Sequence, residues 1–134
     1  MTVVIDCNVI VSAAWAGGIC LSVVRYCVER DLVVVSPAIL AEYRRVEGYR
    51  KFDRIRPRLA VTIDAVMSRA VLVDDTNSPT PLPDPQDEAY VAAALAAGAD
   101  CVVTGNLKHF PDRVFAGLRI LSVRDFAVER GIVG

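Results

Sequence analysis

The sequence predicts an α/β fold, a mainly parallel sheet of four to five strands between two layers of helices. Three observations point to it. Short apolar runs (Thr2 to Ile5, Leu32 to Val35, Cys101 to Val103) recur along the chain, as expected of strands buried on both faces. Between them, apolar residues fall at helical spacing, as at Leu21, Val24 and Val28. The two patterns alternate throughout, the order that builds parallel sheets with crossover helices.

Each element has its own warrant. Thr2 to Ile5 reads as the first strand, with Asn8 as the cap of a helix from Val9. Gly17-Gly18 breaks that helix, and a second runs from about Cys20 to Arg30. Leu32 to Val35 is the next strand. Ser36-Pro37 then supplies a helix cap and a proline at the first helical position, for a helix to about Glu47. Tyr49 to Arg56 is a basic connector, Pro57 opens a helix to Ala70, and Val71 to Val73 forms a short strand. Asp74 to Pro83 holds three prolines and no hydrophobic period, so it reads as a loop. Asp84 caps a further helix with Asp87 in its third position, ending at Gly98. Strands at Cys101 to Val103 and Arg119 to Leu121 follow, and Ser122 opens a last helix.

Size and composition narrow the function. The 134 residues suffice for one domain, 1–134, with a substantial core. Mean hydropathy is high at +0.40, yet no run approaches the roughly 18 apolar residues of a membrane span. No positively charged leader precedes the first apolar run. The expectation is a cytoplasmic protein with no membrane association. Cys7, Cys20, Cys27 and Cys101 form no CxxC and His109 is the sole histidine, which argues against structural zinc. Cys20 and Cys27 share a helix face as small apolar groups, and a disulfide framework is not expected.

Net charge is −1, but its distribution is uneven. Arg44, Arg45, Arg50, Lys51, Arg54, Arg56 and Arg58 oppose only Glu47 and Asp53, whereas Asp74 to Glu88 holds five acids and no base. That polarity suits an acidic site beside an anion-attracting surface, although a solvated helix face and an acidic loop would look the same.

The acids carry the chemistry. In open parallel sheets ligands bind beyond the carboxyl ends of strands, where Asp6 and Asn106 fall. Asp87 lies in the first turn of a helix entering from that side, and Glu42 just over a turn into the helix after the second strand. Each also has an ordinary explanation. Asp6 competes with Asn8 as a cap; Asp84 is accounted for by capping; Asp87 complements a helix dipole. Glu42 suits a solvated face, and Thr104 and Asn106 suit a turn. Together they say more. Two unit charges about 4 Å apart repel by roughly 4 kcal/mol at an effective dielectric of 20, so clustered carboxylates require a cation or a proton. Oxygen ligands suit Mg²⁺ or Mn²⁺, and such an ion activates water and offsets charge on a phosphodiester.

In order and spacing, Val4-Ile5-Asp6-Cys7-Asn8-Val9, Ser36-Pro37-Ala38-Ile39-Leu40-Ala41-Glu42, Pro83-Asp84-Pro85-Gln86-Asp87-Glu88 and Gly98 to Asn106, leading into Lys108-His109-Phe110, resemble the PIN-domain ribonucleases. The likeness is strongest to the small bacterial toxins of toxin–antitoxin pairs (VapC-like ribonucleases). It implies a three-layer PIN fold and a Mg²⁺/Mn²⁺-dependent endoribonuclease. The acidic quartet would fall on Asp6, Glu42, Asp87 and the position of Asn106, with the metal on Asp6, Asp87 and Glu42. Asn8 and Thr104 would support them, and Asp84 is a secondary candidate. Many members carry Asp at the position of Asn106 and a hydroxyl residue at that of Cys7, so this chain has one negative charge fewer. The resemblance also implies a homodimer and a cognate antitoxin. Arg44, Arg45, Arg50, Lys51 and Arg54, with Arg56 and Arg58, are candidates for the RNA backbone, and Tyr49 and Phe52 for base stacking. His109 reads as a surface or turn residue. Two other functions stay open: a PIN-fold binding module with a decayed site, and a phosphotransferase or phosphatase using Asp6 as nucleophile. The latter lacks a second aspartate at Asn8.

Overall fold

The valine-rich runs pair into one twisted sheet. The computed structural model describes residues 1–78 and 81–133. In it β1 (Thr2–Ile5), β2 (Leu32–Val35), β3 (Val71–Leu72), β4 (Cys101–Thr104), β5 (Val114–Phe115) and β6 (Leu118–Ser122) line up in the order β3-β2-β1-β4-β6-β5. All neighbours are parallel except β5, which is antiparallel to β6. The sheet thus has six strands where the sequence predicts four to five. The added strand, β5, is two residues long. Its turn to β6 has positive φ at Ala116 (47°) and Gly117 (88°), the backbone of a tight hairpin without an Asn-Gly signature.

The helices are α1 (Cys7–Ala16), α2 (Gly18–Arg30), α3 (Pro37–Glu47), α4 (Arg56–Arg69), α5 (Glu88–Ala97) and α6 (Val123–Arg130). The connection β1-α1-α2-β2 and the connection β2-α3-α4-β3 step the same way across the sheet, and β3-α5-β4 steps back. Right-handed crossovers therefore put α5 on the opposite face. Val3, Val4 and Ile5 of β1 are fully buried, as a strand covered on both faces must be. The largest buried side chains include Tyr43, Tyr90, Phe110 and Phe126. All four cysteines are free thiols, with Cys27 buried and Cys20 half-buried.

One cap differs from expectation. The N-cap of α1 is Asp6, not Asn8. Asp6 N–H closes the last rung to Val103 O at 2.9 Å, and the helix starts directly after it. Asn8 therefore lies in the first turn with its amide free for other partners. Ser36 caps α3 by accepting from Ile39 N–H at 3.3 Å, as its place before Pro37 predicts. Asp84 caps a 3₁₀ turn, Pro85–Asp87, that leads into α5. Within the predicted loop Asp74 to Pro83 the described residues form no helix or strand; positions 79 and 80 lie outside the described residues.

The chain reverses its direction across the sheet between β1 and β4. Their carboxyl ends, at Asp6 and Thr104, therefore open the crevice where ligands of parallel sheets bind. No helix among the described residues is long and apolar enough to cross a membrane.

Candidate functional site

Asp6 is fixed from two sides. Only 3% exposed, it accepts from Thr104 Oγ1 at 2.8 Å and from Asn8 Nδ2 at 3.2 Å, both at Oδ2. Burial raises its pKa and the Thr104 bond opposes the rise. The strand end behind it is tied into the same network. Gly105 N–H donates to Asn8 Oδ1 at 2.8 Å, and Asn106 N–H donates to Thr104 Oγ1 at 3.0 Å. The crevice is narrow here, because a Cβ on Gly105 would meet Asn8 Oδ1 at 3.1 Å.

Glu42 enters from α3. Its Oε2 accepts from the hydroxyl of buried Tyr90 at 3.0 Å, and the Tyr90 hydroxyl oxygen in turn accepts from Cys7 N–H at 3.3 Å. Tyr90 thus joins α3 to the first turn of α1. Burial raises the Glu42 carboxyl, against the Tyr90 bond, and Asp6 adds to the rise. Burial pushes the neighbouring Cys7 thiol up to about 12, so it is neutral and unsuited to nucleophilic work.

Asp87 is the most perturbed carboxylate of the group. Burial and then Asp6 push it up to about 6; His109 pulls the other way, and Asp84 and Glu42 add smaller increments. His109 Nδ1 lies 2.9 Å from Asp87 Oδ2. That distance is an ion pair's, but Oδ2 is buried and, among the described residues, has no hydrogen-bond partner. Donor atoms of Asp84, Asp87 and His109 all lie within 4.8 Å of one another. A buried carboxylate oxygen without a hydrogen bond costs free energy unless something pairs with it. Two carboxylates and an imidazole are a donor set that suits a divalent ion, Mn²⁺ better than Mg²⁺ because of the nitrogen.

Asp6, Asn8, Glu42, Asp84, Asp87, Thr104 and Asn106 border one strand-end crevice. Of the expected metal set Asp6, Asp87 and Glu42, however, only Asp87 joins the tight cluster with Asp84 and His109 among the described residues. Asp6 and Glu42 act on Asp87 through their charge. Asn106 has a second task there, since its Oδ1 accepts from Lys108 N–H at 3.3 Å and caps the 3₁₀ turn Leu107–His109. A recess of about 240 Å³ adjoins the acids, lined by Ala38, Glu42, Arg45, Gln86 and Ala89. A larger one, about 700 Å³, lies at the opposite end of the strands against Met1, Asp100 and Leu118, away from the acids.

A family model for the PIN domain matches residues 2–108. The chain belongs to the PIN-domain family. Its fold is similar to two solved structures at low identity. One is VapBC2 from Rickettsia felis bound to a DNA fragment from its promoter, with 16% identity over 91% of this chain and 98% of that one and a TM-score of 0.64. The other is VapBC-1 from nontypeable Haemophilus influenzae, with 15% identity over 92% and 99% and a TM-score of 0.61. No curated protein matches the chain.

Two sequence expectations change in this PIN domain. His109 is not merely a turn residue, because the 3₁₀ turn after β4 carries it back onto Asp87. The available signal was its position three residues past the strand-end Asn106. The basic segment also divides. Arg44 pairs with Glu47 at 3.1 Å and Asp64 at 2.9 Å. Arg56 holds Asp53 and the carbonyls of Glu47 and Tyr49, and Arg58 donates to Ala14 O at 2.9 Å. These three tie α3, α4 and α1 together. Arg45, Arg50, Lys51 and Arg54 are exposed and, among the described residues, form no ion pair.

Proposed function

We propose that this PIN domain is a metal-dependent endoribonuclease, the toxin of a toxin–antitoxin pair, acting in the cytoplasm as a homodimer restrained by a cognate antitoxin. The observation that carries the catalytic reading is the buried Asp87 Oδ2, without a hydrogen bond among the described residues and clustered with Asp84 and His109. PIN-family membership supports nuclease chemistry. The likeness in fold to two VapBC proteins supports the toxin reading.

Asp87, Asp6 and Glu42, with Asp84 and His109, would hold Mg²⁺ or Mn²⁺. When bound, the ion supplies Lewis-acid chemistry: activation of water and neutralisation of charge on the phosphate. The protein's own groups do the rest. Thr104 and Asn8 fix the Asp6 carboxylate, and Asn106 holds the Thr104 hydroxyl in place. Tyr90 occupies Glu42 Oε2 and fixes the carboxylate, leaving Oε1 as its free ligand oxygen. Arg45 stands one turn beyond Glu42 and lines the same recess, where it can meet a phosphate oxygen, and Arg50, Lys51 and Arg54 extend the positive surface for the RNA backbone.

The test is incubation of the purified protein with single-stranded RNA in Mn²⁺, Mg²⁺ or EDTA, beside Asp87→Asn. Cleavage with either ion that stops in EDTA and in the variant is expected. Calorimetric titration with Mn²⁺ gives a readout independent of turnover, and the variant should lose the binding heat. Cleavage indifferent to EDTA, or none with either ion, would reject the reading.

A further inference from the structure

Beside the acid cluster, three aromatic rings stand in a row on the surface. Trp15, near the end of α1, is 58% exposed. Phe52 packs edge-on to it, with ring centroids 6.1 Å apart at 77°. Tyr49, 39% exposed, lies nearly parallel to Phe52 at 6.3 Å and 21°. The row is braced from beneath. Arg58 ties α4 to the Ala14 carbonyl next to Trp15, and Arg56 donates to Tyr49 O at 3.0 Å. Trp15 and Tyr49 are thus held outward, while Phe52 between them packs against the core.

Cations follow the rings. Lys51 Nζ sits 5.8 Å from the Tyr49 centroid and 5.2 Å from that of Phe52, with Arg50 and Arg54 exposed alongside. The row also connects to the site. Arg45 Nε donates to the Tyr49 hydroxyl at 3.4 Å, and its guanidinium donates to Gln86 Oε1 at 3.1 Å. Glu42 is one turn from Arg45, and Asp87 follows Gln86. At the far end, Trp15 lies about 12 Å along α1 from Cys7 at the crevice.

We propose that this row is a track for unpaired RNA. Bases stack on Trp15 and Tyr49, phosphates lie against Lys51, Arg50 and Arg45, and the strand reaches the acids past Gln86. This rests on the nuclease reading and adds to it the surface that carries the strand and the direction of its approach. Stacked rings interleaved with cations suit single strands, whose bases offer free faces. Paired bases have none to offer. A protein-docking core, by contrast, is depleted of lysine.

Trp15 is the chain's one tryptophan, so its emission reports on the track directly. The full chain in EDTA is titrated with a mixed-sequence single-stranded RNA of about ten nucleotides and with its duplex. The single strand should quench Trp15 and the duplex should not. Tyr49→Ala should weaken binding roughly tenfold, the worth of one base–ring stack, whereas Tyr49→Phe, which keeps the ring, should bind within about twofold of the parent. With Mn²⁺ present, the loss in Tyr49→Ala should fall on KM rather than kcat. Binding with unchanged Trp15 emission, or equal affinity for Tyr49→Ala, would overturn the track while cleavage in Mn²⁺ leaves the nuclease reading standing. Absent quenching together with self-association that Trp15→Ala abolishes would assign the row to a protein contact instead. If no RNA is bound or cut, both readings fall.

Discussion

At the residue scale, withdrawal from water disfavours the charged form of Asp6, Glu42 and Asp87. Asp87 shows the consequence. Its pKa rises from 3.8 to about 6 through burial first and Asp6 second, so the metal-free fold binds its proton more tightly than the unfolded chain does. That contribution to stability is fully present below about pH 4 and is lost as pH rises through about 6. Asp87→Asn should therefore stabilise the metal-free protein at pH 7–8 by on the order of 1–2 kcal/mol, with the gain vanishing near pH 4. Thermal melts in EDTA across that range measure it; a variant less stable at pH 8 would make Asp87 a structural carboxylate. Tyr90→Phe addresses positioning. It leaves Glu42 Oε2 and Cys7 N–H without their shared partner, costing about 1–2 kcal/mol and, with Glu42 free to swing, roughly tenfold in kcat. Unaltered kcat after a measured loss of stability would limit Tyr90 to packing.

At the scale of elements, the strands do little but deliver helix and turn starts to one place. Ser36 caps α3 and so sets the turn on which Glu42 stands. Ser36→Ala should cost about 1 kcal/mol, read as a fall of roughly 3–5 °C in Tm, without altering metal affinity per folded molecule. Gly105→Ala should behave in the opposite way. The new Cβ would press on Asn8 Oδ1 at 3.1 Å and displace the amide that steadies Asp6, lowering cleavage several-fold while Tm moves by no more than about 2 °C. Equal activity in the two variants would show that Asn8 does not steady Asp6. Ser36 was legible as a cap because Ser-Pro has one dominant use before a helix. Asn8 was not, because both it and Asp6 are good caps by type. The choice came from the β1–β4 rung at Asp6 N–H, a contact between residues nearly a hundred apart.

At the scale of the whole molecule, charge is partitioned between holding the fold and facing outward. Arg44, Arg56 and Arg58 bind elements to one another, whereas Arg45, Arg50, Lys51 and Arg54 face solvent. RNA affinity should accordingly fall with salt, and the double variant Arg50→Ala/Arg54→Ala should reduce the log–log slope by about 1.4, or 0.7 for each phosphate contact to a single strand. Arg44→Ala should leave that slope unchanged. Filter binding across a salt series checks both, and an unchanged slope in the double variant would move the RNA surface elsewhere.

The sequence by itself determined the order of elements and the residues that end the strands. Both are written in local signals: valine-rich runs, helical spacing and caps, each complete within a dozen residues. Its ordered motifs already resembled the PIN family. Only the tertiary structure decided how those ends meet. It added β5, whose two residues carry no periodicity and whose Ala-Gly turn lacks a hairpin signature. It brought His109 back onto Asp87, gave three arginines internal partners, and set Trp15 beside Phe52. Each of these joins segments distant in the chain, and its energy comes from burial and from charges brought close. Asp6 could be read from the sequence as a strand-end acid. Its neighbours Thr104 and Asp87 became its partners through the crossover that places β4 beside β1.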